Sequence, residues 1–319
     1  MPMSVHDPVA GTAETYRAFA GETQGRSPRY TELTLAVAED RLVLGFLGTL
    51  PVAKRQPNLL FAAACYLLGA PATITTLRAL VSDRAAELTD TMLTRRTQTN
   101  EPARCGTLLP ALARLPQPLA LLEVGASAGL TLLVDKYSYD YDGHVVTGTD
   151  SRAPVLRCQP RGPVPLPERV PEVAWRAGLD LNPLDVTDDD DVRWLECLVW
   201  PGEGDRAARL AAAIETARRQ PPAVHRGDLL SDVPAVISQA PRDATLVIFH
   251  SAVLNYVSAP QRAEFARTVR DLGAVWLSNE APGVLPGIPA ADGARASSSS
   301  GTAPKRSRTR TRTAPGSTG

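Results

Sequence analysis

Leu119-Ala120-Leu121-Leu122-Glu123-Val124-Gly125-Ala126-Ser127-Ala128-Gly129-Leu130 decides how this chain is read. Residues 119–124 form an apolar run of strand length and read as a buried strand. A cluster of tiny residues follows, and then Leu130, Leu132, Leu133 and Val134 recur at helical spacing. Strand, small-residue turn and helix N-terminus together make an anion or cofactor site. Small side chains let a ligand reach the backbone, and free N–H groups face it. Glu123, the one acid in the run, is costly at a buried strand end unless it is bonded or faces a ligand.

Working downstream, residues 173–181 read as a strand ending in Asp180-Leu181-Asn182-Pro183, and 192–200 and 206–219 read as helices. Residues 224–227 read as a short strand leading to Asp228. Residues 244–249 form a second buried strand opening onto His250-Ser251. A helix over 260–272 and a third apolar strand over 273–277 follow. Strands alternating with helices predict an α/β fold with a doubly wound parallel sheet. Between the first two strands, 137–171 reads as an insert. Its tyrosines alternate and the chain turns at Asp142-Gly143, which predicts a β-hairpin and then a proline-rich extended stretch.

Working upstream, residues 12–115 carry helical spacing and no alternating pattern, with stretches over 13–20, 30–50, 58–68, 73–94 and 103–115. The expected organisation is an all-helical N-terminal subdomain over 1–116, a sheet domain over 117–290 and a tail over 291–319. One polar knot, Arg95-Arg96-Thr97-Gln98-Thr99-Asn100-Glu101 with Arg104, has two readings. It is a solvated inter-helix loop, or Asn100, Glu101 or Arg104 leans over the site that begins twenty residues later.

Three chemistries compete for Gly125-Ala126-Ser127-Ala128-Gly129. The dinucleotide fingerprint Gly-x-Gly-x-x-Gly fails at two of its three glycines, with Ser127 and Leu130 in their places. The nucleophile elbow Gly-x-Ser-x-Gly of α/β hydrolases matches letter for letter. It would make Ser127 the nucleophile of a serine esterase, with Asp228 and His250 following in order. Helices precede the motif, however, where a hydrolase has strands. The third resemblance is to the S-adenosylmethionine motif of Rossmann-like methyltransferases, an acid, one residue, then Gly-x-Gly-x-Gly, with Ser127 in place of the middle glycine.

The methyltransferase resemblance extends beyond the turn, and its implications are carried over by position. Glu123, Gly125, Ser127 and Gly129 would lie along the S-adenosylmethionine cofactor. Asp180 resembles the acid that bonds the ribose, and Asp228 the acid near the adenine. His250, Asn255 and Tyr256, after the fourth strand, would be the catalytic residues on the substrate side, with His250 as general base. Asp180 lies 51 residues beyond Gly129, against about 20 for the comparable acid in dinucleotide folds, and the insert supplies the excess. Over nearly its whole length the chain also resembles an uncharacterised bacterial family known only as a domain of unknown function. That resemblance rests on residues 97–104, 123–129, 178–186, 192–195, 200–201 and 249–256 and brings no activity with it. A non-catalytic ligand-binding protein on the same fold is therefore a further alternative.

Composition narrows partners. Lys and Arg total 34, as do Asp and Glu, but six of the bases and none of the acids lie beyond Asp292, leaving 28 bases against 34 acids up to and including it. An acidic body argues against a duplex-binding main surface. The tail, rich in Ser, Thr and Arg without apolar periodicity, is expected to be disordered, with at most weak phosphate contacts to nucleic acid. The four scattered cysteines suggest neither a zinc site nor a disulfide framework. No metal is expected. With no membrane-length apolar run and no leader pattern, a cytoplasmic protein acting on a small molecule is expected.

Overall fold

The computed structural model describes residues 8–285; the tail expected over 291–319 lies outside them. Among the described residues, helices alone precede the first strand: α1 (Pro8–Thr23), α2 (Pro28–Glu39), α3 (Arg41–Gly48), α4 (Pro57–Leu68), α5 (Ile74–Asp83), α6 (Ala85–Thr94) and α7 (Cys105–Leu112). Their ends follow local chemistry. Ser27 accepts the Tyr30 N–H ahead of Pro28 to start α2, and Gly69 closes α4 in the left-handed region. The stretch 73–94, expected as one helix, is two. Arg84 leaves helical geometry, and its guanidinium turns to Glu87 and the Leu67 carbonyl.

The central strand β1 (Leu119–Val124) is buried along its whole length. After it come β2 (Ser138–Tyr141), β3 (His144–Val146), β4 (Val155–Cys158) and β5 (Val173–Asp180). Then follow α8 (Asp189–Cys197), α9 (Gly204–Arg219), β6 (Val224–Arg226), α10 (Val233–Ile237), β7 (Thr245–Ser251), α11 (Ala259–Asp271) and β8 (Val275–Asn279). The fold is α/β. Five strands form a parallel sheet in the order β6-β5-β1-β7-β8. The chain builds outward from β1 through β5 to β6, then crosses back to lay β7 and β8 on the other side. The topological switch therefore lies between β1 and β7.

Alternation along β1 separates two cores. Leu119 and Leu121 join the large cluster that includes helical residues from Ala13 onward, whereas Leu122 and Val124 face α10 and α11. Because the first cluster runs without a break from α1 to Phe249 of β7, the N-terminal helices and the sheet share one core. Each Leu buried there contributes about 1.5–3 kcal/mol by removal from water.

The insert holds a small sheet of order β3-β2-β4. Asp142 and Gly143 both have positive φ, as a two-residue turn of the primed type requires, and the expected hairpin is present. β4, which pairs parallel to β2, falls where extended proline-rich chain was expected. The helix expected from Leu130 is not there. Residues Leu130–Leu133 make a single 3-10 turn, because side chains take the carbonyls that a helix would use. Tyr137 donates to the Leu130 carbonyl at 2.8 Å, Arg176 to Leu132 at 2.8 Å and Tyr139 to Val134 at 2.5 Å. The turn after β1 thus has no α-helix dipole behind it.

Candidate functional site

Open parallel sheets bind ligands outside the carboxyl ends of their strands, at the switch point. Here that point is where Glu123-Val124 lie level with Phe249-His250 on one side and Gly178-Leu179 on the other. The next residues are the small-residue turn. Gly125, Ser127 and Gly129 all have positive φ, so the backbone doubles back at alternate positions. Ser127 is the non-glycine among them, at φ 53°. Such a path turns N–H groups inward as an anion nest.

The anion in the nest is the protein's own. Ser127 donates its N–H to Asp180 Oδ2 at 2.8 Å, while Asp180 Oδ1 accepts from Asn182 N at 2.8 Å and Gln98 Nε2 at 3.2 Å. The close approach that Gly125 permits is made by Val253. A Cβ at Gly125 would sit 2.3 Å from a Val253 methyl, and one at Gly129 would sit 2.7 Å from Pro222. The free N–H groups expected to face a ligand are therefore used internally in this conformation.

The polar knot does lie over this turn. Residues 95–104 form a strap across the strand ends. The Gln98 carbonyl accepts from Ser127 Oγ at 3.1 Å, and its side chain exchanges bonds with Asn182. Asn100, buried, donates to the Ala126 carbonyl at 3.0 Å and accepts from Leu130 N at 2.7 Å. Ion pairs anchor both ends of the strap: Arg95 with Asp190 and Asp191, and Glu101 with Arg206 at 3.0 Å and Arg209 at 2.7 Å. Burial pushes the Glu101 carboxyl up, but those two arginines, with the Ala103 N–H, bring it below the ordinary carboxylate range.

Beneath the strap lies the most perturbed acid of the site. Glu123 is 3 % exposed; its Oε1 accepts from Thr131 Oγ1, and its Oε2 has no partner. Burial drives its carboxyl up to about 8, against the Thr131 bond and the charge of Arg104, while the Asp180 charge adds to the rise. Arg104 holds the Ser251 carbonyl at 3.0 Å. Burial lowers its pKa, partly offset by Glu123 and Glu101. A carboxyl whose pKa burial raises thus sits near a guanidinium, with one enclosed oxygen that no protein group bonds.

His250 faces the other side of the sheet. Trp276 Nε1–H donates to its Nε2 at 3.0 Å, and because indole is only a donor, Nε2 is the acceptor. The proton is then on Nδ1, which donates to Glu280 Oε1 at 2.7 Å. That oxygen also takes the Val253 and Leu254 N–H groups, while Glu280 Oε2 is buried without a partner. Burial raises the Glu280 carboxyl, and these bonds more than reverse the rise. Fully buried, with both ring nitrogens engaged, His250 has none free for a substrate proton.

The structure brings Glu123, Gly125, Ser127, Gly129 and Asp180 together at one site and leaves the others apart. Asp228 closes a local turn by accepting Leu230 N at 2.8 Å. Asn255 and Tyr256 lie on an exposed 3-10 turn, Tyr256 at 71 % exposure. Ser127 Oγ is bonded to the Gln98 carbonyl and not to His250, so no hydrolase triad is formed. Sequence reasoning missed Gln98, Thr131 and Glu280. Glu280 carried the same signal as Glu123, an acid at a strand's carboxyl end. Trp194 and Trp200 are core residues. Among the described residues no three His, Cys, Asp or Glu side chains form a metal cluster, and no helix is long and apolar enough to cross a membrane.

Residues 13–318 match the family described as an uncharacterized protein conserved in bacteria (DUF2332). The chain belongs to this family. No curated protein and no solved structure matches it. Of the stretches singled out in the sequence, the strap, the turn after β1, the end of β5 and the end of β7 lie at the switch point, whereas Trp200-Pro201 packs against Phe19, Ser27 and Tyr30 of the N-terminal region.

Proposed function

We propose that this protein is a Rossmann-like S-adenosylmethionine-binding protein and a methyltransferase acting on a small molecule. The observation that carries the reading is the pairing of Glu123 Oε2, buried and without a partner, with a small-residue turn at the switch point of a parallel sheet. A buried polar atom without a partner costs on the order of 1–3 kcal/mol, and a ligand's ammonium group would relieve it.

The residues present fit the cofactor at two places. Glu123 and Arg104 offer an acid and a guanidinium for a zwitterionic amino-acid end, and Asp180 offers a carboxylate for a diol once Gln98 gives up its bond. Bound there, the cofactor supplies an electrophilic methyl group on a sulfonium. The chain's own part is to orient the acceptor and exclude water, for which the strap is suited.

Calorimetric titration of the folded protein with S-adenosylmethionine and S-adenosylhomocysteine tests the reading. Binding of both is expected. No heat at millimolar ligand overturns it.

A further inference from the structure

The loop that joins β7 to α11 reaches back over the turn after β1. Val253 presses on Gly125: a Cβ there would lie 2.3 and 2.9 Å from its two methyl groups. Val253 thus fills, from within the chain, the space that a glycine leaves for close approach of a ligand. One carboxylate oxygen ties the loop down, Glu280 Oε1 accepting the Val253 and Leu254 N–H groups at 2.9 and 3.1 Å. Leu254 is buried in the core below, whereas Val253 is half-buried and Ala252 is exposed.

This position carries two costs. Ala252 has φ 57°, in the left-handed region that residues with a Cβ rarely adopt, while its N–H is bonded to the Asn279 carbonyl at 3.0 Å. Glu280, its side chain 3 % exposed, leaves Oε2 without a partner while Oε1 serves three donors. A residue held out of its preferred backbone region beside a ligand cleft marks a segment with a second conformation within reach. The strap is different, pinned by ion pairs at both ends and by the two bonds of buried Asn100. Of the two covers, the loop is the one that can move.

We propose that Val253 is a gate on the site, occupying the ligand's place above Gly125 until Ala252 leaves the left-handed region and swings it off the turn. Leu254 stays in the core as the fixed end of the movement. The ligand binds only the open form, so its apparent affinity is reduced by the fraction of molecules that are open. The gate rests on the cofactor reading above, because the adenosyl ligand is what takes the cleared space.

The test titrates full-length wild type, Val253→Ala and Ala252→Gly with S-adenosylhomocysteine by calorimetry. Shortening the gate is expected to tighten binding roughly fivefold, and glycine, which favours φ 57°, to weaken it about threefold. In the ligand-free protein, hydrogen exchange at the residue 253 amide should quicken in Val253→Ala and slow in Ala252→Gly. Opposite signs in the two variants are the mark of a gate, since a loop that only supports the fold would not improve binding when trimmed. Wild-type binding with both variants unchanged, or both shifted the same way, overturns the gate and leaves the cofactor reading standing. No heat from any of the three removes both. Where Val253→Ala does not fold, Ala252→Gly decides: weaker binding with slowed exchange supports the gate, and unchanged affinity overturns it.

Discussion

Ser127 and Asp180 hold each other: the backbone N–H of the left-handed serine at the turn is bonded to the carboxylate that ends β5, at 2.8 Å. The strained position and the strand-end acid are therefore one structural unit, with Gln98 and Asn182 completing the acid's shell.

Asp180→Asn tests that unit. The amide keeps one acceptor oxygen but turns an NH2 group toward N–H donors, so a bond is lost and a donor left facing donors. A loss of about 1–3 kcal/mol is expected, read as a Tm lowered by a few degrees in calorimetry. An unchanged Tm would show that the carboxylate is not what fixes the turn.

Gln98→Ala removes the side chain that covers Asp180 while leaving the Gln98 carbonyl for Ser127. If a ligand diol takes that place, freeing one bond of about 1 kcal/mol tightens S-adenosylhomocysteine binding by roughly five- to tenfold. Unchanged or weaker binding in the variant, beside measurable binding in the wild type, would mean that Gln98 is not the cover.

Glu123 makes stability depend on pH. Its carboxyl titrates near 8 in the folded protein against an ordinary value of 4.5, so between those values the native state holds a proton that the unfolded chain releases. The contribution is fully present below about pH 4.5 and is lost as pH rises through about 8. The slope is on the order of 1.4 kcal/mol per pH unit within the window. Glu123→Gln, which cannot ionise, should gain stability relative to the wild type as denaturant melts are moved from pH 5 to pH 8. A constant difference would place the titration elsewhere.

Ser127 is expected to resist a fluorophosphonate probe. Its hydroxyl is committed to a carbonyl, and the imidazole that would activate it is held by Trp276 and Glu280. Stoichiometric labelling that disappears in Ser127→Ala would instead revive the esterase reading.

Strands and helices were legible wherever burial and periodicity agreed. Leu119 to Val124 is apolar but for Glu123 because both its faces are covered, and Asp142-Gly143 announced its turn because few other pairs tolerate positive φ twice. The absent helix after Leu130 was not legible. What cancels it is Tyr137, Tyr139 and Arg176 reaching back to carbonyls, contacts that no local pattern encodes. The same holds for the site. Glu123 stood out as an acid in an apolar run, whereas Gln98 meets Asp180 only because the fold brings together residues far apart in the chain.

The position of β1 bears on how the chain is made. Its two neighbours are β5, level with it from Val173, and β7, level with it from Thr245. At ribosomal rates of about 5–20 residues per second, the Leu119–Val124 segment waits on the order of ten seconds for its second partner. Through that interval it is an apolar strand with an open edge, the kind of segment that recruits other nascent chains. The N-terminal helices that share its core are synthesised before it and can shelter one face. A chain begun at Leu119 would lack that shelter and should aggregate during its own synthesis.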